Sequence, residues 1–294
     1  MEDKIRIEDL TESNIEDLIS VCSSKRMDDP IHRQGVNLKR QWLREMLRKY
    51  GSVAKIAYFE DKPVAQIFFY PEESDLTNAS PRKNVLRMLC IYNPATSAQK
   101  HGIGTKLLQS LVSDAKKRKT CLGNKPCKFI LVKAFNTGEF LPMPEFFKKN
   151  GFLPTPENEE MLYYPVEGNY EQTSSMQVLR GVNAWDGSAQ VEGNYEQASP
   201  MQEYEPLPED RGRAVILYSP VCQFSYQFAK KMEEQIREVA PNLPIDLINE
   251  WEKPEEAIKR RNNVLIVNAK PIRTFFMDSV KFKEEVRLAL SEKR

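Results

Sequence analysis

Two periods of apolar residues alternate along the first 165 positions. Runs that are apolar throughout, or at every second residue, read as strands; runs apolar at every third and fourth position read as helices. "DKIRIEDL" at 3–10 predicts an edge strand. "TESNIEDLISVCSS" predicts a helix after it, with Thr11 or Ser13 as its cap. In "NLKRQWLREMLRKY" the residues Leu38, Trp42, Met46 and Leu47 share one helical face. "SVAKIAYFEDKPVAQIFFYP" predicts a hairpin turning at Glu60, Asp61 and Lys62. "NVLRMLCIYNP" is largely apolar and predicts a central strand. The next helix sets Ile103, Leu107, Leu108, Leu111, Val112 and Ala115 on one side. A strand at "CKFILVKAFN", a short helix at "MPEFFKKNGF" and a last strand at "MLYYPV" follow. The expected fold class is α/β (α+β), a mixed central sheet flanked by helices.

The pattern lapses between 166 and 212, a stretch rich in Gly, Ser, Gln, Glu and Pro. Within it "VEGNYEQTSSMQ" at 166–177 returns as "VEGNYEQASPMQ" at 191–202. Two copies are too few for a solenoid. They read either as a linker lengthened by duplication or as a pair of recognition arms, with Tyr170 and Tyr195 in equivalent places. Periodicity resumes at "RAVILYSPVCQFSYQFAKKMEEQI", a strand, a turn and a helix with Phe228, Met232 and Ile236 in register. "PIDLINEW" and "NVLIVNAKPIRTFF" read as strands around the helix "KPEEAIKRR", and "DSVKFKEEVRLAL" closes as a helix. The expected division is therefore 1–165, a linker at 166–212, and 213–294.

Charge narrows the function classes. The chain has 43 basic and 42 acidic residues among 294, so no global field draws in nucleic acid or an anionic membrane. No run approaches the ~20 apolar residues of a membrane span. The start "MEDKIRIEDL" carries acids where a signal peptide needs a basic flank, so a cytoplasmic location is expected. The five cysteines, Cys22, Cys90, Cys121, Cys127 and Cys222, are scattered and odd in number, which excludes a regular disulfide framework. With only His32 and His101 to assist them, no metal site is expected.

The chemistry concentrates in "QKHGIGTKLL" at 99–108, where two glycines precede an amphipathic helix. A helix start offers unpaired N–H donors and the positive end of the macrodipole, hence an anion site. Gly102 and Gly104 remove the Cβ atoms that would hold a phosphate oxygen away. The alternative use of such a turn is tight packing of helix on strand. Neither common nucleotide motif fits: Gly-Ile-Gly-Thr-Lys lacks the Walker ending, and Leu107 stands where the dinucleotide fingerprint has its third glycine.

Gln99-Lys100-His101-Gly102-Ile103-Gly104 resembles the Gln/Arg-x-x-Gly-x-Gly/Ala signature of the GNAT acyltransferases, placed after a central strand as in that family. "PEFFKKNGF" at 144–152 is similar to the Phe-Tyr-x-Lys-x-Gly-Phe region that ends many members, and Asn136 to the asparagine often found after the preceding strand. The resemblance covers about 1–165 and implies acetyl-CoA as cosubstrate and an amine-bearing acceptor. It implies that the amides of Gln99, Lys100, His101, Gly102, Ile103, Gly104 and Thr105 hold the pyrophosphate. The strand edge at Leu89, Cys90, Ile91 and Tyr92 would lie along the pantetheine arm, with Asn136 also on the cofactor. It further implies direct attack by the amine in a ternary complex, with an amide at the strand splay polarising the thioester carbonyl. Phe147 departs from the family, since a tyrosine often serves there as general acid. Tyr92 is the substitute candidate, the alternative being an ordinary half-buried strand aromatic, and Asn136 is the other candidate catalytic residue of this domain. Glu72, Glu73 and Asp75 are candidates for attracting a cationic amine or acting as base through water, the alternative being a solvated loop.

The order of the second region resembles a thioredoxin or glutaredoxin fold, in the form of the YoaP-like domains found fused to GNAT modules. "SPVCQFS" is similar to the active-site loop of those folds, with Cys222 at the first cysteine position, where a helix start lowers a thiol pKa. Cys222 is therefore either a relic cysteine on a binding scaffold or a candidate reactive thiol that forms mixed disulfides or contacts substrate, and it is expected to alkylate faster than the other four. Ser225 replaces the second cysteine and excludes dithiol exchange, and Asn263 stands where the family keeps its cis-proline. Three readings remain: an N-acetyltransferase, a non-catalytic acetyl-CoA sensor that binds a protein partner or a second copy, and, last, a thiol redox protein.

Overall fold

The computed structural model describes residues 4–23, 26–78, 80–134, 141–172 and 204–291. They fall into two compact units. One is drawn from Met1–Met27 and Arg40–Pro200, the other from Asp28–Lys39 and Met201–Arg294.

The first unit is built on a seven-stranded mixed sheet. Its strands are β1 (Ile5–Asp9), β2 (Ala54–Phe59), β3 (Lys62–Pro71), β4 (Val85–Tyr92), β5 (Phe129–Lys133), β6 (Leu153–Thr155) and β7 (Asn158–Pro165), in the order β1-β2-β3-β4-β5-β7-β6. The β2–β3 hairpin closes on Glu60 and Asp61, both left-handed (φ 50° and 62°), a two-residue turn whose twist matches the strands. Only β4 and β5 run parallel, over Val85–Met88 and Phe129–Val132. A parallel pair needs a long crossover. Helix α3 (Ile103–Lys116) supplies it.

Local chemistry sets the helices. Thr11 donates its amide to Asn14 Oδ1 (2.8 Å), opening a 3₁₀ turn at Glu12–Asn14 that runs into α1 (Ile15–Ser23). Helix α2 (Pro30–Tyr50) begins on a proline, and Asp29 Oδ1 accepts from the amides of Ile31 (2.8 Å) and His32 (3.3 Å). In α3 the stripe Ile103, Leu107, Leu108, Leu111 and Ala115 is buried. Lys55, buried on β2, ties that helix to the sheet by pairing with Asp114 on α3 and with Asp9 on β1. Helix α4 (Met143–Lys149) precedes the short β6, a strand the sequence reading did not anticipate.

The second unit carries β8 (Ala214–Tyr218), α5 (Gln223–Val239), β9 (Ile245–Asn249), α6 (Pro254–Lys259), β10 (Leu265–Val267), β11 (Lys270–Pro271) and α7 (Ser279–Ser291). The strand order is β11-β10-β8-β9, with β8 and β9 parallel and β10 antiparallel to both its neighbours. Ile216, Met232, Ile236, Val267, Phe282 and Val286 form its core. The incoming chain is pinned by a buried network: Arg260 reaches Asp210 (Nε–Oδ2 3.0 Å), and Tyr204 donates its hydroxyl to Asp210 Oδ2 (2.7 Å). Burial, reinforced by the Asp210 carboxylate, pushes the Tyr204 phenol up to about 12. The described part of this unit runs from Tyr204, and the segment Asp28–Lys39, which includes the start of α2, belongs to it as well.

Candidate functional site

The site grows from an irregularity in β4. Met88 lies opposite Phe69 and Cys90 opposite Phe68, so Leu89 has no partner across the strand pair: a β-bulge. On its other edge, β4 pairs with β5 only as far as Met88 opposite Val132. Beyond that point β5 continues against β7 while Leu89–Tyr92 keeps β3 alone. Exposure changes at the same residue: Val85–Met88 are buried and Leu89–Tyr92 are half-buried. Among the described residues no strand pairs with Leu89–Tyr92 on the β5 side.

A loop held by Asn93 leads from this edge to α3. Asn93 donates to the Ala98 carbonyl (3.1 Å), accepts from the Ala95 amide (3.3 Å), and its own carbonyl accepts from Gln99 Nε2 (3.3 Å). Sequence reasoning missed Asn93, although Asn-Pro is a turn signal. Lys100 (φ 63°) and Gly102 (φ 72°) are both left-handed, and Gly102 is the N-cap of α3. No side chain caps that helix start. The amides of Ile103, Gly104 and Thr105 precede the first helical bond, Lys106 N to Gly102 O (3.0 Å), and have no partner among the described residues.

Close packing does not explain the glycines. A Cβ on Gly102 would meet nothing within 4 Å, and one on Gly104 would rest at ordinary contact from the Phe146 ring (3.5 Å) and Ile91 (3.9 Å). Gly102 is needed for its backbone angle, which leaves donors bare at an exposed tip. His101 is exposed there, its Nδ1 on the Gln99 carbonyl (2.8 Å) and its ring 5.1 Å from Phe59.

The other site residues divide. Tyr92 ends β4 opposite Gln66, so the two side chains share a face of the sheet. Gln66 is buried and donates Nε2 to Cys22 Sγ (2.9 Å), a pair with no local signal in the sequence. Phe147 is fully buried between Phe146 (5.2 Å) and Phe152 (5.1 Å), so the position lacks access as well as a proton. Asn136 lies outside the described residues. Of the acids after β3, Glu72 and Asp75 are buried in ion pairs. Glu72 is fully buried and holds Arg82 through both carboxylate oxygens (2.7 Å each), while Asp75 takes Arg87 Nη1 (3.0 Å) and the Thr77 hydroxyl (2.6 Å). Only Glu73 is exposed.

In the second unit Cys222 is the N-cap of α5. Burial pushes its thiol up; the Lys39 charge and the amides of Phe224 and Ser225 pull the other way and do not overcome it. The expected acidification is thus reversed. Lys39 donates Nζ to Gln223 Oε1 (2.7 Å), and a Cβ on Gly35 would fall 2.1 Å from the Gln223 carbonyl oxygen. The Asp28–Lys39 segment therefore packs on the turn at backbone distance. Ser225 Oγ accepts from the Ser219 amide (2.9 Å), and Asn263 Nδ2 donates to the Arg260 carbonyl (2.7 Å).

No family model and no curated protein matches this chain. Among solved structures it is similar to Ard1 from Thermoplasma volcanium, at 11% identity and TM-score 0.38, over 55% of this chain and 98% of that one. It is similar to the PaiA N-acetyltransferase from Thermoplasma acidophilum in complex with coenzyme A, at 15% identity and TM-score 0.39, over 55% and 98%. A GNAT family acetyltransferase from Brucella melitensis in complex with acetyl-CoA gives 10% identity and TM-score 0.37, over 57% and 92%. TM-scores this low carry no conclusion about the chemistry of this chain.

Proposed function

We propose that the first unit is a GNAT-type domain that binds acetyl-CoA and transfers its acetyl group to an amine acceptor. The bare amide tip of α3, at the end of the loop that leads out of β4, is the observation that carries this reading. A diphosphate supplies the negative charge such a tip lacks, and Gly102, Ile103, Gly104 and Thr105 would hold it. Leu89–Tyr92, beyond the last β4–β5 pair at Met88 and Val132, would lie along the amide-bearing arm of the cosubstrate, as an added strand does. What acetyl-CoA brings is an activated acyl thioester. The chain's part is to hold acceptor and thioester together, removing much of the entropic barrier to attack. Tyr92, at the mouth of the splay, is the proposed proton donor to the leaving sulfur.

The second unit is proposed as a thioredoxin-like binding scaffold at 213–294, entered from Tyr204. Its β-α-β-α-β-β-α order supports this, and Ser225 in place of a second cysteine speaks against dithiol chemistry. A cytoplasmic location is proposed for the chain. Phe147 favours a second reading, an acetyl-CoA sensor without turnover. Calorimetry of the full chain with acetyl-CoA tests both readings together, and absence of binding overturns both. Thiol release with an amine panel then separates them, because turnover excludes the sensor.

A further inference from the structure

The repeated motif has a built receptor. Its first copy, 166–172, is seated on the first unit, and the second, 191–197, lies outside the described residues. Val166 and Gly168 donate their amides to the Lys128 carbonyl (3.0 and 3.1 Å), and Glu167 to that of Cys127 (3.0 Å). The Glu167 carboxylate takes Arg118 at two points (3.0 and 2.6 Å). A Cβ on Gly168 would crowd Lys128 at 3.3 Å. The Tyr170 ring packs on Phe129 (5.4 Å) and Tyr163 (5.0 Å), lies under the Arg82 guanidinium (5.4 Å), and its hydroxyl donates to Glu157. Glu171 takes Lys128 Nζ on its carboxylate (2.6 Å) and Arg82 Nη1 on its carbonyl (2.8 Å).

Each residue that makes these contacts recurs 25 positions later, as Val191, Glu192, Gly193, Tyr195 and Glu196. We infer that this groove, formed by Arg82, Arg118, Lys128, Phe129 and Tyr163, accepts either copy of VEGNYEQ, giving the chain two registers. The groove's contacts do not distinguish the copies, because all seven residues are identical. What separates them is closure of an added loop of 25 residues, which disfavours the second register roughly a hundredfold. The first copy is accordingly the one seated. The exchange changes the chain between the seated motif and Tyr204 from 31 residues to 6, so it acts as an adjustable tether. This inference is independent of the acetyl-transfer reading.

Hydrogen exchange with mass spectrometry on the full chain tests it, since peptides from the two copies differ in mass after the motif. In Tyr170→Ala/Glu171→Ala, amides of 191–193 should exchange at least tenfold more slowly than in the wild type. Adding Tyr195→Ala should abolish that protection. Peptides covering 85–92 and 129–133 report whether the sheet stays folded. Should the double variant unfold, Tyr170→Phe, which keeps the ring and loses the hydroxyl's bonds to Glu157 and Arg82, should give a smaller gain of the same sign. Unchanged exchange at 191–193 in the folded variants overturns the inference. Protection that appears only as protein concentration rises also overturns it, in favour of exchange between chains.

Discussion

Each unit contains a strand that runs through a turn into a helix, β4 into α3 and β8 into α5, and the two helix starts have met opposite fates. At α3 the tip is exposed, its donors are uncapped and its glycines are uncrowded. At α5 a thiol stands at the N-cap, with Lys39 beside it and the backbone of Gly35 against the next residue. The same partial charge is offered in both places. It becomes a ligand site only where protein has not already covered it, and where covering has gone far enough, desolvation outweighs the dipole.

Four measurements would break or sharpen this contrast. The largest effect is expected for Gly35→Ala. In an open helix interior the change gains about 1 kcal/mol. Here the new Cβ meets a backbone oxygen, so a net loss of about 1–3 kcal/mol is expected, read as a lower Tm of the second unit. A raised Tm would show that the turn at Gln223 is not held at backbone distance. Next, Gly102→Val should weaken acetyl-CoA binding roughly tenfold by calorimetry, because a β-branched residue at φ 72° costs about 1–2 kcal/mol and reshapes the tip. Unaltered affinity would remove the diphosphate from this loop.

Cys222 should alkylate severalfold more slowly in the native chain at neutral pH than in urea, with a labelling midpoint above the ordinary thiol value. Because folding raises this pKa, its contribution to stability is complete below the ordinary thiol range and lost as pH rises through it. Cys222→Ala should flatten that alkaline decline, and an unaltered slope would assign it to other groups. The smallest effect is expected for Gly104→Ala. The added methyl finds ordinary contacts, so stability should hold or rise by up to about 1 kcal/mol, with only a modest loss of acetyl-CoA affinity. A marked fall in Tm would revive tight packing as the reason for the glycine.

The sequence carried the elements whose signals are local. The Glu60–Asp61 hairpin, the apolar stripe of α3 and the glycine turn all follow from residues within a few positions of one another. It did not carry what depends on distant partners. Glu72 reads as a loop acid until Arg82, ten positions on, folds against it. Cys222 reads as an activated thiol because the segment packed on its turn, with Gly35 and Lys39 against Gln223, is distant in sequence. The splay of β4 has no signature in "RMLCIYNP", since a bulge is a mismatch between two strands and neither strand alone displays it. Three-residue β6 is too short for any period to register, and α2 starts among polar residues, "DDPIHRQG", where the apolar stripe has not yet begun.

The Arg260–Asp210 pair bears on how the second unit can be handled by itself. A fragment cut at 213 would remove Asp210 and leave the buried Arg260 guanidinium to Glu256 alone, so the fragment should be less stable than one that keeps the pair. Expression trials of that half should begin at or before Tyr204, whose phenol belongs to the same lock.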